Sequence, residues 1–437
     1  MIIDIEKLKS CDSFELKLSA HFLYEYAENV REYFMLLTEK TTSVRPADAI
    51  DVLSALVAFR EYFADEATWE RLTLRMLDII RKGINKSLFN KIAVFSGMTH
   101  IAFSVHALSI STPKIRSFLE RINEILLENL ANYLKDADNE DFFTKGNYEV
   151  ILGLSGPLRY LLDFCDDAKM KNMAQQIIAV FIRRSKDTTV LGKRVTGWHY
   201  YPSEIEESFM TKKTPNGVVN YGVSHGMAGP LATLSLAYGK GFRTEGLLDA
   251  INGLISEYMS ALYYFDDIAF WPDRISYEQY VGLEEITKAP SRMSWCYGSV
   301  GILRVLYTAG SLLPDESVKA FALDELAKIA EMDLAKYELV QPVVCHGFVG
   351  TAAILNAMYL DTKRVEFLQK ATEMVETSIS FNIERYTENE DKLASILNLS
   401  SRASLHSHLE GYNGLIQTTL SIVKGRPNEN EKRLLMI

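Results

Sequence analysis

Two short segments of the chain place cysteine at the same distance from a glycine. Cys296 stands two residues before Gly298, and Cys345 stands two residues before Gly347, with His346 directly after it. Thiolates and a neutral imidazole are zinc ligands, and three protein ligands leave a fourth position open for a reaction. If the fold brings the two segments together, these residues predict a catalytic zinc site rather than a structural one.

The alternative for the cysteines is that they are small buried apolar residues, which is their usual role in a helical protein. Two of only four cysteines share one sequence position, which favours the metal site; the four are Cys11, Cys165, Cys296 and Cys345. An open zinc site with sulfur ligands suits a thiol substrate, because a free thiol with a pKa of about 8.5 is little ionised at neutral pH. Metal coordination removes that proton. We therefore expect thiolate addition or alkylation, with hydrolysis by zinc-bound water as the alternative.

Four further residues are candidates for the chemistry. His225, one residue before a glycine, occupies the same position as the predicted histidine ligand and is a candidate acid or base. Arg292 precedes the first cysteine by four residues and can stabilise an oxyanion or enolate, unless it forms a surface salt bridge. Tyr297 follows that cysteine and is either a hydrogen-bond donor or a packing residue. Glu149 can orient a histidine or end a helix in solvent. His406 and His408 fall outside the His225 position, and we interpret them as polar residues at the rim.

The glycines belong to a repeat. Each copy has a glycine, two residues, a second glycine or a substitute, and then an apolar run. The six copies begin at Gly97, Gly153, Gly226, Gly298, Gly347 and Gly411. The first copy is degenerate, because His100 replaces the second glycine. Repeat units bury their apolar faces against neighbouring units, so the chain is predicted to form one domain over residues 1–437.

Most of the chain has the pattern of helices. Charged amphipathic segments, such as residues 51–83, alternate with the apolar segments that follow the glycines. This alternation predicts a mainly α fold, an α/α toroid with six inner and six outer helices. The glycines would begin the inner helices and allow tight turns and close contacts there.

Two long intervals between the repeats differ in composition. Residues 188–222 and 264–291 are rich in β-branched, aromatic and turn residues, and predict strands and loops inserted at the rim as a small α/β extension. The tail, residues 424–437, begins with a polar run, and we expect it to fray.

Composition excludes several classes of function. The chain of 437 residues has a formal net charge of −10 and no evident basic stripe, so no nucleic-acid partner is expected. The few cysteines and the lack of an apolar signal segment at the N-terminus favour the cytoplasm. No apolar run reaches about 18 residues, so no spanning helix is expected, although peripheral membrane contact through a partner remains open.

The segments NYGVSHGMAG, SWCYG, VCHGFVG and GLSG resemble those of lanthionine synthetase C-like proteins, in particular the stand-alone lanthipeptide cyclases of bacteria. The resemblance covers about residues 90–420. It implies an α/α toroid with an appended domain similar to an SH2 fold, and a zinc ion held by Cys296, Cys345, His346 and a water. It also implies that a cysteine thiol of a dehydrated precursor peptide replaces the water, attacks dehydroalanine or dehydrobutyrine, and forms a (methyl)lanthionine ring in lantibiotic biosynthesis.

The resemblance also assigns roles. His225 matches the family's leading acid or base, and Arg292 and Tyr297 match an arginine and a tyrosine beside the first cysteine. The family usually has aspartate where this chain has Glu149. A leader on the precursor peptide would bind at the inserted segments, a separate dehydratase would prepare the peptide, and an exporter could join the assembly at the inner face of the membrane.

Three alternatives are open at this point. A prenyltransferase-like toroid enzyme also activates a peptide thiol on zinc, but with Asp, Cys and His ligands. Eukaryotic members of the family join glutathione to dehydrated residues. A toroid that only binds peptides is the non-catalytic alternative, since a fold alone does not determine function.

Overall fold

The computed structural model describes residues 2–10, 18–38, 44–204, 206, 213–381 and 405–436, and most of them are helical. The described α-helices are α1 (Ile5–Lys9), α2 (Ala20–Thr38), α3 (Pro46–Phe59), α4 (Glu66–Asn85), α5 (Met98–Ser111), α6 (Arg116–Leu134), α7 (Glu140–Phe143), α8 (Ser155–Leu161), α9 (Ala168–Arg184), α10 (Ala228–Gly239), α11 (Leu247–Ala261), α12 (Tyr277–Tyr280), α13 (Ser299–Leu312), α14 (Ser317–Ala330), α15 (Phe348–Thr362), α16 (Val365–Ile379), α17 (Tyr412–Lys424) and α18 (Glu429–Arg433). In this part of the chain, no helix has the length and apolarity needed to cross a bilayer.

The inner helices close a ring. In the described residues, α3, α5, α8, α10, α13, α15 and α17 each contact the next, and α17 contacts α3. The helices α2, α4, α6, α9, α11, α14 and α16 pack around them. The predicted α/α toroid is confirmed, but the ring has seven inner helices instead of six. The glycine pattern missed α3, because this helix begins with Pro46 and not with a glycine motif.

Burial separates the two layers. All residues of α15 from Phe348 to Tyr359 are buried, as expected for a helix enclosed by neighbours on every side. The outer helix α4 buries one stripe, which includes Trp69, Leu72 and Met76. The stretch 51–83 that we treated as one amphipathic segment contains both an inner and an outer helix, with a break between residues 59 and 66.

The second glycine of the repeat is needed for a close contact. A Cβ atom on Gly350 would lie 1.9 Å from the carbonyl oxygen of Val344, three residues before the first glycine of that copy. Gly301 and Gly414 make the equivalent contacts in their own copies. The first glycine of the fourth copy, Gly298, has a φ of 119°, which side chains rarely tolerate. The glycines thus allow each inner helix to start against the loop that precedes it.

The described strands form three two-stranded antiparallel sheets. The strands are β1 (Thr188–Val190), β2 (Lys193–Val195), β3 (Val218–Asn220), β4 (Tyr263–Phe265), β5 (Ile268–Phe270) and β6 (Arg274–Ser276). β1 pairs with β2 and β4 with β5, whereas β3 pairs with β6 and so joins the two predicted insertions. Residues 205 and 207–212 of the first insertion lie outside the described residues.

The prediction that the tail frays is wrong. Arg433, Leu434 and Met436 are buried. Trp295 donates its indole N–H to the carbonyl of Leu434 at 2.8 Å, and Arg304 donates Nε to the carbonyl of Met436 at 2.7 Å. The polar start of the tail suggested exposure, but the end of the tail is held by α13 and by the loop that precedes it.

Candidate functional site

The loops before the inner helices are joined by backbone hydrogen bonds. In each loop, the backbone N–H of a residue two or three positions before the first glycine donates a hydrogen bond. The acceptor is the backbone carbonyl two positions before the first glycine of the following copy. The bonds are Val94 N to Ile151 O (3.0 Å), Val150 N to Ser224 O (3.2 Å), Val223 N to Cys296 O (2.9 Å), Cys296 N to Cys345 O (3.0 Å) and Cys345 N to Leu409 O (2.9 Å). Equivalent positions of successive repeats are therefore neighbours, and a backbone hydrogen bond joins the two cysteines directly.

A carboxylate closes this ring at the seventh helix, which has no glycine loop. Asp51, within α3, accepts the backbone N–H of His408 at 3.1 Å. The same side chain accepts from His100 Nε2 at 2.9 Å and from Arg433 Nη2 at 3.2 Å. The interpretation of His406 and His408 as rim residues is wrong, because both are buried. Their loop packs against α3 and not against solvent.

The ligand atoms of Cys296, Cys345 and His346 lie within 4.8 Å of one another. A hydrogen bond from the Cys345 thiol lowers the pKa of Cys296 to about 7, assisted by the charge of Arg292 and against the effect of burial. The same contact and burial raise the pKa of Cys345 well above its usual value. Ser294 contacts the Cys296 sulfur at 3.6 Å through its hydroxyl. Two soft sulfur donors and one imidazole are a set that suits a metal ion such as zinc.

Gln341 sets the orientation of His346. Its side-chain oxygen lies 2.8 Å from His346 Nε2 and accepts the proton there, so Nδ1 keeps a free lone pair. Burial and then the charge of Arg292 lower the pKa of His346 to about 4, which keeps the imidazole neutral. A neutral ring with one nitrogen held by a neighbour is the usual state of a histidine that ligates a metal.

A buried carboxylate holds His225. Glu149 Oε2 lies 2.7 Å from His225 Nδ1, and the carboxylate also accepts the backbone N–H groups of Ile151, Leu152 and Gly153. Burial lowers the pKa of His225, but the hydrogen bond and charge of Glu149 outweigh it, and the net pKa is raised. The His225 side chain is 37% exposed, and its Nε2 has no partner among the described residues.

Arg292 and Tyr297 flank Cys296 in the chain. Arg292 makes no hydrogen bond to another described residue, and its charge acts on both thiols and on His346. The Tyr297 hydroxyl accepts hydrogen bonds from Asn220 Nδ2 at 3.1 Å and from Arg274 Nη2 at 2.7 Å.

These side chains border one cavity of about 750 Å³ at the mouth of the ring. The structure places His225, Arg292, Tyr297 and the three predicted ligands along it. Glu149 is not part of the cavity wall and reaches it only through His225. Another part of the wall contains Asp51, His100, Phe89 and Phe95.

Sequence reasoning missed the residues that hold the site residues in place. Gln341 and Asn220 each stand six residues before a glycine of the repeat, as do Arg292 and Asn147. The first copy has Lys91 at this position, so it is polar in five of the six copies, and this was a signal in the sequence that pointed to them. Arg274 carried no such signal, because it lies in an inserted strand outside the repeat.

Comparisons with known proteins agree with this fold. The family described as "Lanthionine synthetase C-like protein" matches residues 53–435. The "Nisin biosynthesis protein NisC" of Lactococcus lactis subsp. lactis is 28% identical over 295 residues, which are 65% of this chain and 68% of that protein. The solved structure of "Nisin cyclase" superposes with a TM-score of 0.73 over 96% of this chain and 98% of that chain, at 19% sequence identity.

Proposed function

The chain belongs to the lanthionine synthetase C-like family, and on this basis we propose that it is a zinc-dependent peptide cyclase of lantibiotic biosynthesis. Its substrate is a dehydrated precursor peptide, and its products are lanthionine and methyllanthionine thioether rings. The observation that carries the proposal is the group of two thiols and one imidazole at the cavity wall, next to the histidine held by Glu149. The related protein from L. lactis is named for nisin biosynthesis, which is consistent with this substrate class.

The side chains present fit a zinc ion. Cys296, Cys345 and His346 would hold it, since both sulfurs and the free His346 Nδ1 are available as donors. A prenyltransferase-like site would use only one cysteine and an aspartate instead. Zinc bound there would lower the pKa of a substrate thiol, so that the thiolate is available at neutral pH.

The ring-forming reaction needs a proton at one carbon. Attack of the thiolate on the β-carbon forms the carbon–sulfur bond and moves the double-bond electron pair towards the carbonyl oxygen, which gives an enolate. Protonation of the α-carbon completes the addition. His225 is suited to deliver that proton, because its raised pKa keeps more of it protonated near neutral pH and its Nε2 has no partner in the protein.

Charge develops on the enolate oxygen during the same step. The guanidinium of Arg292 has no hydrogen-bonding partner in the described residues and borders the cavity, so it is positioned to stabilise this oxygen. Glu149 acts through His225: it fixes the ring with Nδ1 protonated. The longer arm of glutamate, relative to the family's usual aspartate, still reaches the histidine.

The substrate implies partners. A peptide with dehydrated residues must come from a separate dehydratase, and its leader would bind at the inserted segments, whose β3–β6 pair lies next to the cavity through Tyr297. An exporter, and peripheral contact with the membrane through these partners, complete the proposed assembly.

Alkylation mass spectrometry tests the function. A dehydrated, cysteine-containing precursor peptide is incubated with the protein and zinc, and the remaining thiols are counted by alkylation because ring closure leaves the mass unchanged. We expect thiols to disappear with the wild-type protein and with Cys165→Ala, a cysteine outside the site, but not after chelation or with Cys345→Ala. Thiols that stay fully alkylatable with every plausible precursor would refute the cyclase, and full zinc occupancy in Cys345→Ala would refute the ligand assignment.

A further inference from the structure

The hydroxyl of Tyr297 receives two hydrogen bonds and gives none within the protein. Arg274 donates Nη2 at 2.7 Å and Asn220 donates Nδ2 at 3.1 Å, and both groups can only donate. No described residue accepts the phenolic proton. Since a phenol has one proton and a limited acceptor capacity, the two donors leave the hydroxyl free only as a donor.

The two donors stand behind the cavity wall. Tyr297 borders the mouth cavity, whereas Arg274 and Asn220 do not. The cavity is therefore the side on which the hydroxyl of Tyr297 can find an acceptor for its proton. The ring of Tyr297 packs directly against Gly222, where even a Cβ atom would lie only 2.4 Å from the ring. This packing helps to hold the tyrosine in place.

Both donors come from the inserted strands. Asn220 is the last residue of β3 and Arg274 is the first residue of β6, and the two are direct partners in the antiparallel register. Each therefore comes from a different insertion, and the pairing of the strands brings them to one hydroxyl group. Arg274 forms no ion pair with a described carboxylate, and its Nε is buried without a partner, so Tyr297 is the main contact of this guanidinium.

We propose that Arg274 and Asn220 are positioning residues that make Tyr297 an obligatory hydrogen-bond donor to the carbonyl oxygen of the dehydrated residue. This inference rests on the proposed cyclase function. As the thiolate adds and the electron pair moves to that oxygen, the phenolic O–H donates to the developing enolate, and the proton stays on Tyr297. The β3–β6 pair of the two insertions thus supplies the residues that position Tyr297 in the active site.

A double-mutant cycle on cyclisation kinetics tests this role. We expect Tyr297→Phe to lower kcat about tenfold with KM unchanged, because one hydrogen bond to a charged group is lost. Arg274→Met should lower kcat by a similar factor, and Arg274→Lys should restore part of it. The double variant should be about as slow as either single variant, since the hydrogen bond of Arg274 supports the reaction through Tyr297. Zinc content is measured for every variant and should stay at the wild-type level.

Arg243→Met is the matched control. The guanidinium carbon of Arg274 lies 5.3 Å from the Tyr297 ring centroid, and that of Arg243 lies 3.8 Å from the Tyr238 ring centroid. Arg243, however, donates only to backbone carbonyls away from the cavity. We expect its kcat to equal that of the wild type. Additive losses of about a hundredfold in the double variant, or an Arg274→Met effect confined to KM, would overturn the proposal.

The same variants in urea unfolding separate this inference from the proposed function. A wild-type protein that closes no ring would refute cyclase activity and the role of Tyr297 in it. That result would say nothing about the hydrogen bond between Arg274 and Tyr297. Stability coupling between Arg274→Met and Tyr297→Phe would still support the contact on which the proposal depends. If the two stability changes simply add, the contact is absent and the proposal fails whatever the activity.

Discussion

Two carboxylate–histidine pairs place a histidine at the wall of the mouth cavity, and the two pairs have opposite characters. Glu149 holds His225 at 2.7 Å, and Asp51 holds His100 at 2.9 Å. The second ring nitrogen of His225 has no partner in the described residues. The second ring nitrogen of His100 accepts the backbone N–H of Ser96 at 3.2 Å. The first pair retains a nitrogen for a substrate, whereas the second is saturated within the protein.

The surroundings of the two pairs move the histidine pKa in opposite directions. The pKa of His225 is raised by Glu149 despite burial. Burial and the charge of Arg433 lower the pKa of His100 to about 4, although Asp51 opposes them. A carboxylate next to a histidine is therefore insufficient to identify an acid or base. A free ring nitrogen on an exposed side chain decides between chemistry and structure: the His225 side chain is 37% exposed and that of His100 is 2% exposed.

The largest effect we expect is on turnover, from the pair of Glu149 and His225. His225→Gln should lower kcat by a factor on the order of 10²–10⁴, the usual contribution of general acid–base catalysis. The unfolding midpoint should hardly change, because the side chain is partly exposed. His100→Gln is the control and should show the reverse: lower stability, with kcat per folded molecule close to the wild type. Normal turnover in His225→Gln would remove this residue from the mechanism.

The buried pair should give the largest effect on stability. Asp51→Asn leaves the guanidinium of Arg433 buried without its counter-ion and weakens the contacts to His100 and His408, so we expect a loss of about 3–5 kcal/mol in the free energy of unfolding. Urea unfolding measures it. Asp361→Asn is the matched control, since Asp361 also pairs with a buried arginine, Arg304, but is 43% exposed and should cost about 1 kcal/mol or less. Equal losses in both variants would contradict a special role for Asp51.

The contrast between the pairs shows what the sequence could predict. Glycine spacing predicted equivalent positions for the two cysteines, and likewise for His225 and His346. The prediction works because the backbone hydrogen bonds between repeats depend on position and not on side chains. The toroid and the clustering of the metal-binding residues follow from that periodicity. Repetition carries information about any residue that shares a position with another copy.

The buried pair could not be predicted in the same way. His100 occupies the position of a second glycine, so it looked like a degenerate copy, and Asp51 lies inside a helix that has no glycine motif. Arg433 comes from a tail whose composition suggested fraying. Each of the three residues departs from the repeat, and only the closing of the ring brings them together. The irregular residues are the ones that join the first and last units.

Acid should destabilise the protein through its buried histidines. Burial lowers the pKa of His100 to about 4 and of His408 to about 3, so the folded state keeps both neutral while the unfolded chain binds protons below pH of about 6.5. Their contribution is complete above that pH and is lost as the pH falls towards 4. Each should remove up to about 1.4 kcal/mol per pH unit in this range. Urea unfolding at pH 7, 6 and 5 with a chelator present measures the slope, and His100→Asn should flatten it; an identical slope in that variant would contradict this origin.

The smallest effect should come from the charge of Glu149. Glu149→Gln removes the interaction that raises the pKa of His225, so burial prevails and the pKa falls. Because the protonated form delivers the proton, activity on the alkaline side is lost as the pH rises through this pKa, and the variant should lose it at lower pH than the wild type. We expect about a tenfold lower kcat at neutral pH, because less of His225 is protonated there and part of the general-acid contribution is lost. A pH profile of kcat measures the shift, with Glu149→Asp as the control because it keeps the charge. If Glu149→Gln and the wild type lose activity at the same pH, Glu149 only holds the loop before α8 through the backbone N–H groups that it accepts, and it does not tune His225.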